Sequence, residues 1–180
     1  MVKKQHMIFV ATLIFLFGCD FRQGKRAQAK IESKSESLIS GQAFFSEKSG
    51  KVKLEISLTG AEPGSTAVHL HSIGDCSSED ATSSGGHWNP TKDKHGKWGE
   101  SQFHSGDIGN INIDERGNGV LILIDQYNRW SIGGPAETNV IGRAVVVHQG
   151  KDDMVSQPSG AAGKRTGCGP IIETTGVIEK

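Results

Sequence analysis

Apolar and polar residues alternate strictly along Lys51 to Leu58. Val52, Leu54, Ile56 and Leu58 fall on one side and Lys51, Lys53, Glu55 and Ser57 on the other. A period of two predicts a β-strand with one wet face. Ile39, Gly41, Ala43 and Phe45 alternate the same way upstream, and Glu47-Lys48-Ser49-Gly50 between the two runs reads as a hairpin turn. Val120–Ile124, Ile141–His148 and Ile171–Ile178 are further strand candidates, and Asp114 to Gly119 is a turn-rich connection. No sustained 3.6-residue apolar pattern follows the first 20 residues. With 24 glycines in 180 residues, a helical bundle is disfavoured. The pattern predicts an all-β, antiparallel sandwich or barrel around one core. Two stretches break the alternation: residues 72–107 and 149–167 are polar, Gly-rich and long enough to suggest functional loops.

The amino terminus has a different character. Lys3 and Lys4 precede an apolar run from Met7 to Phe17, too short for the roughly 20 residues that span a bilayer. A basic start and a short apolar stretch form an export signal. Leu16-Phe17-Gly18-Cys19 resembles a bacterial lipobox, in which cleavage precedes the Cys and its thiol carries a lipid. A rival cleavage after Ala27-Gln28-Ala29 would leave Arg22, Lys25 and Arg26 between the apolar run and the cut. The expected organisation is therefore a signal peptide over 1–18, the lipidated Cys19 with a polar tether over 19–37, and one domain over 38–180. Such a chain is exported to the periplasm or cell surface and held at a membrane through its N-terminal lipid anchor. Lys+Arg and Asp+Glu are 20 each, so there is no basic excess for nucleic acid.

Histidine placement carries the chemistry. Beyond His6 there are His69, His71, His87, His95, His104 and His148. On a strand, His69 and His71 point to the same side and can share a metal. His148 ends the apolar run Val145-Val146-Val147. His87, His95, His104 and Asp107 are spread along the first long loop, and three imidazoles with one carboxylate form a donor set that tetrahedral zinc accepts. Six imidazoles and Asp107 are one donor short of two four-coordinate sites. The deficit closes if one imidazole binds a metal through each ring nitrogen, and His87 is the candidate bridge.

Taken together, these stretches resemble the copper/zinc superoxide dismutases. The matching residues are His69-Leu70-His71 with Gly74-Asp75-Cys76, Gly86-His87-Trp88-Asn89-Pro90, His95-Gly96, His104-Ser105-Gly106-Asp107-Ile108-Gly109-Asn110, Ile141-Gly142-Arg143, Val147-His148, Asp152-Asp153, Gly163-Lys164-Arg165 and Cys168-Gly169. The resemblance implies an eight-stranded Greek-key barrel with two long functional loops, and one copper and one zinc ion per chain. It implies copper on His69, His71, His87 and His148, and zinc on His87, His95, His104 and Asp107. It makes Asp152 the carboxylate behind both metal sites, Arg165 the anion guide at the mouth, and Cys76–Cys168 a disulfide. The activity it implies is dismutation of superoxide to O2 and H2O2, with copper alternating between Cu(II) and Cu(I). His87 would part from the reduced copper and take up a proton. The family includes monomers and dimers, so a homodimer is a candidate assembly. A non-catalytic copper- and zinc-binding lipoprotein on the same scaffold is the alternative. The sequence departs from the family's habit at Ala67-Val68, Ala161 and Pro170, none of them a ligand.

Overall fold

The computed structural model describes residues 24–174. Nine strands run in chain order: β1 Arg26–Ser33, β2 Ser40–Lys48, β3 Lys51–Thr59, β4 Gly64–His71, β5 Gly109–Ile113, β6 Gly119–Ile124, β7 Ala144–His148, β8 Arg165–Pro170 and β9 Ile172–Glu173. The only helical turn among the described residues is a 3-10 turn at Thr82–Ser84. Hydrogen-bonded neighbours follow the order β2-β3-β6-β5-β4-β7-β8-β1, and β1 pairs again with β2. The first eight strands therefore close into an antiparallel barrel, and β9 extends beside β1.

The alternating positions explain the barrel. Val52, Leu54, Ile56 and Leu58 of β3 point inward and are buried with Phe45 of β2, Leu70 of β4, Ile111 of β5 and Val147 of β7. The β2–β3 hairpin pairs Lys48 with Lys51 around Ser49-Gly50, both at positive φ (52° and 74°). Gly50 takes that conformation without Cβ strain. Asp114 to Gly119 forms the tight β5–β6 connection, with Asp114 Oδ1 accepting from the backbone N–H groups of Arg116 and Asn118.

Three expectations change. Residues 26–33 are a barrel strand and do not form a tether. Ala27, Ala29 and Ile31 are buried, and β1 pairs with β2 over six residues, so the folded domain begins well before residue 38. The inward side of β1 is mostly alanine, which gives the alternation little apolar contrast. Cleavage after Ala29 would fall in the middle of this strand. Arg165–Pro170, placed partly in a polar loop by composition, is β8, because glycines at 167 and 169 let β1 approach closely. A Cβ on Gly169 would lie 2.5 Å from Lys30 O. The last strand expected at Ile171–Ile178 is seen as the short β9; residues 175–180 lie outside the described residues, as do the expected signal, Cys19 and the start of the tether.

Strand β4 is buried on both sides. Val68 and Leu70 face the barrel interior, while His69 and His71 lie on the outer wall, 0% and 1% exposed beneath the two long loops.

Candidate metal centre

Two backbone hydrogen bonds pin the first loop onto β4 and a third ties the loop to itself. Leu70 N donates to Gly106 O (2.9 Å), Gly106 N to Trp88 O (2.9 Å) and Trp88 N to Leu70 O (2.8 Å). Four of the six residues flanking these three positions are His69, His71, His87 and Asp107. Gly106 is required here, since a Cβ would lie 2.2 Å from Leu70 O. From the neighbouring strand, β7 brings His148 to the same wall, after an irregularity between Val147 and His148.

Two clusters result, each with donor atoms within 4.8 Å of one another: His69, His71, His87 and His148; and His87, His95, His104 and Asp107. His87 belongs to both. Its ring centroid lies 4.0 Å from that of His69 and 5.7 Å from that of His104.

Each of the other rings has one nitrogen taken by the protein. His69 Nε2 donates to Asp152 Oδ2 (2.8 Å), His71 Nδ1 to Gly85 O (2.8 Å), His95 Nε2 to Asp152 Oδ1 (3.0 Å), His104 Nε2 to Asp93 O (3.1 Å) and His148 Nδ1 to Gly163 O (3.4 Å). The opposite nitrogens, His69 Nδ1, His71 Nε2, His95 Nδ1, His104 Nδ1 and His148 Nε2, are buried with no hydrogen-bond partner, as is His87 Nε2. Six orphaned buried nitrogens clustered in this way are a strong departure from ordinary polar satisfaction. Bare ring nitrogens on rings oriented from behind are what a cation needs.

Asp107 Oδ1 sits 2.8, 3.0 and 3.1 Å from Nδ1 of His87, His95 and His104. Only the His87 contact has hydrogen-bond alignment. The other two nitrogens lie close to the oxygen without pointing at it. Ligands about 2.0–2.1 Å from a tetrahedral ion lie about 3.3–3.4 Å apart, so these three contacts are slightly shorter than the edges of such a cage. Asp107 Oδ2 accepts from the backbone N–H of Gly96 and His104, which fixes the carboxylate.

The electrostatics separate the two sides. Burial drives the His71 ring down to about 2 and His148 down to about 3, aided by neighbouring imidazoles; both are neutral and ready to ligate near pH 7. Burial likewise takes His87 down to about 4, against the pull of Asp107. Burial also opposes charge on His95, but the adjacent carboxylates of Asp107 and Asp152 outweigh it and lift that ring to about 9. Burial would raise Asp107 and Asp152; the histidine rings against each prevail and hold both well below the usual carboxylate range.

Asp152 is fully buried and joins the clusters by touching a ring of each. Asn110 holds its backbone through a reciprocal pair, Asn110 Nδ2 to Asp152 O (2.9 Å) and Asp152 N to Asn110 Oδ1 (2.8 Å). Arg165 lines a cavity of about 540 Å³ together with His71, His87 and His148. A larger groove of about 890 Å³ beside it shares Arg165 and also includes Lys34 and Lys164, but none of the clustered histidines. Arg165 Nη1 donates to Ala81 O (2.7 Å). Cys76 and Cys168 form a disulfide with their Cα atoms 5.8 Å apart, packed with Ala81, Ala144 and Val146. The segment that holds Arg165 is thus fastened to β8.

Two contributors escape the sequence pattern. Gly160, at φ +68°, leaves room for Asp152; a Cβ there would lie 1.8 Å from Asp152 Oδ1. Gln157 grips the His95 backbone from both sides, accepting from His95 N and donating to His95 O, each 2.9 Å. Neither is recognisable until the second loop is folded over the first.

A closed β-barrel carries on its wall two histidine-rich clusters that share His87 and that could each hold a metal ion, beside a cavity lined by Arg165. Residues 39–171 match the family model described as copper/zinc superoxide dismutase (SODC). Two proteins of Aquifex aeolicus (strain VF5) are similar over most of the chain. Superoxide dismutase [Cu-Zn] 2 is 32% identical, covering 94% of this chain and 99% of the relative. Superoxide dismutase [Cu-Zn] 1 is 32% identical, covering 87% and 93%. A solved structure titled as a crystal structure analysis of the clock protein EA4 superposes with a TM-score of 0.72 at 35% identity, covering 84% of this chain and 96% of that one. The chain belongs to the copper/zinc superoxide dismutase family and is an oxidoreductase of that type.

Proposed function

We propose that His69, His71, His87 and His148 hold copper, that His87, His95, His104 and Asp107 hold zinc, and that the pair serves superoxide dismutation to O2 and H2O2. The observation that carries this reading is the set of six partnerless buried ring nitrogens, arranged as two cages with His87 common to both. The donor sets fit their ions: four imidazoles suit copper, and three imidazoles with one carboxylate suit zinc. When bound, copper supplies a one-electron change between Cu(II) and Cu(I), for which zinc has no counterpart.

The chain's own residues do the rest. Arg165 places a fixed positive charge beside His71, His87 and His148, where a small anion enters. His87 Nε2 faces the copper cage and Nδ1 the zinc cage, so this ring can hold a proton on Nε2 for delivery to reduced oxygen while Nδ1 stays engaged. Asp152 orients His69 and His95 from behind. We also propose that the chain is exported and lipidated at Cys19, on the motif Leu16-Phe17-Gly18-Cys19.

The test is superoxide consumption by the mature chain loaded with one copper and one zinc. Turnover is expected, and replacement of His148 by Ala abolishes it. If copper binds stoichiometrically and no superoxide is consumed, the protein is a metal-holding lipoprotein and the catalytic reading is wrong.

A further inference from the structure

The zinc cage has a support that none of its ligands supplies. Zinc ligand His104 lies between Phe103 and Ser105, and its Nε2 donates to Asp93 O (3.1 Å). All three neighbours are held by two consecutive residues from a distant segment, Arg129 and Trp130. Arg129 Nη2 donates to Asp93 Oδ2 (3.1 Å) and Nη1 to Thr91 Oγ1 (2.9 Å). The same guanidinium lies over the Phe103 ring, 4.5 Å from its centroid. The indole N–H of Trp130, a residue 3% exposed, donates to Ser105 O (2.7 Å).

The segment presenting this pair is itself fixed. Asp125, buried, accepts from Tyr127 N (2.8 Å) and Trp130 N (2.7 Å), and Asp125 N donates to Val52 O of β3 (2.9 Å). Trp98, Phe103, Tyr127 and Trp130 pack together with ring centroids 4.8–6.2 Å apart, joining the zinc loop to the same support. A continuous line of contacts therefore runs from the barrel wall at β3, through Asp125, to Arg129 and Trp130, and on to His104. His95, by comparison, is held from the other loop, through Gln157 and Asp152.

We propose that Arg129 and Trp130 are positioning residues of the zinc site. They set the ring of His104 against the barrel by gripping Phe103, Ser105 and the side chain of Asp93, whose carbonyl accepts from that ring. The proposal rests on the zinc assignment above. Neither residue can touch substrate or metal; each acts through the chain on either side of a ligand. Arginine suits the role because a planar fork donates two parallel bonds and stacks on a ring at once, which lysine cannot do.

The experiment measures zinc affinity of the full mature chain by chelator competition, for wild type, Arg129→Met, Arg129→Lys and Trp130→Phe. The visible spectrum of the cobalt(II)-substituted site serves as a geometric readout, and the melting temperature of the metal-free form reports bulk stability. Arg129→Met is expected to weaken zinc binding about tenfold, at the low end of losses for partners behind a ligand, and to change the cobalt bands. Arg129→Lys should fall between Met and wild type. Trp130→Phe keeps the ring and loses the bond to Ser105 O, so it should weaken zinc without lowering the metal-free melting temperature in proportion. Wild-type zinc affinity and cobalt spectrum in Arg129→Met would overturn the proposal. So would a loss that weakens copper equally and tracks a fall in metal-free stability, because that is general destabilisation. A wild-type chain that binds no zinc at these four side chains would remove the zinc assignment itself, and the proposal with it.

Discussion

Replacing Gly160 with Ala should damage both metal sites through one carboxylate. Gly160 sits at φ +68°, where a Cβ costs about 1 kcal/mol. The added carbon would also fall 1.8 Å from Asp152 Oδ1 and 2.7 Å from His95 Nε2, so the carboxylate must move. Asp152 Oδ1 is already held by His95 Nε2 (3.0 Å) and Met154 N (2.7 Å), and Oδ2 by His69 Nε2 (2.8 Å). Displacing it releases one ring of each cage. Loss of such a partner weakens metal binding about 10–100-fold, or roughly 1.4–2.7 kcal/mol. Gly133 is a matched control: its φ is +67° and nothing lies within 4 Å of an added Cβ. Gly133→Ala should lower metal-free stability by about 1 kcal/mol and leave metal affinity alone. Chelator competition for each metal, with urea unfolding of the metal-free forms, separates the two effects. The reasoning is refuted if Gly160→Ala binds both metals as tightly as Gly133→Ala does.

The metal-free protein should lose stability as pH falls below 6.5. His71, His148 and His87 have folded values below the ordinary one, so the unfolded chain binds more protons in that window. His71 alone contributes a loss of roughly 2 kcal/mol between pH 6.5 and 5, and a flat urea midpoint over that range would contradict it. His95 acts in the opposite sense: its support is complete below pH 6.5 and fades as pH rises through about 9. Replacing Cys76 and Cys168 by Ser should cost roughly 4–5 kcal/mol for a crosslink spanning 92 residues, read as a drop in the urea midpoint; a loss under 1 kcal/mol would show that the unfolded chain is little constrained by it. Ala161 is exposed at φ 52°, a conformation that Gly adopts freely, so Ala161→Gly should stabilise by about 0.5–1 kcal/mol, and a fall in melting temperature would refute this.

The strands with strong contrast, β3 above all, could be read directly, because Val52, Leu54, Ile56 and Leu58 each meet the core while their neighbours meet water. Strand β1 hid behind alanine, and β8 behind glycines whose value is the absence of a side chain. The histidines stood out because period two and their number both pointed to metal. Asp152 and Arg165 have no local signature; only resemblance to a family singled them out. Gly160, Gln157, Arg129 and Trp130 act across chain separations that no local pattern encodes, as when residue 130 holds residue 105. The departure at Ala161 has a physical side, since its backbone is left-handed, a conformation that Ala rarely adopts.

Strand β1 also fixes which way the molecule looks. It starts at Arg26, and its far end at Ser33 pairs with Gly167 of β8, just before Lys34 and Ser35, which border the groove containing Arg165. Eight residues of strand separate those ends by on the order of 20–25 Å. The start of β1 at Arg26 is therefore the end of the wall remote from the groove that contains Arg165.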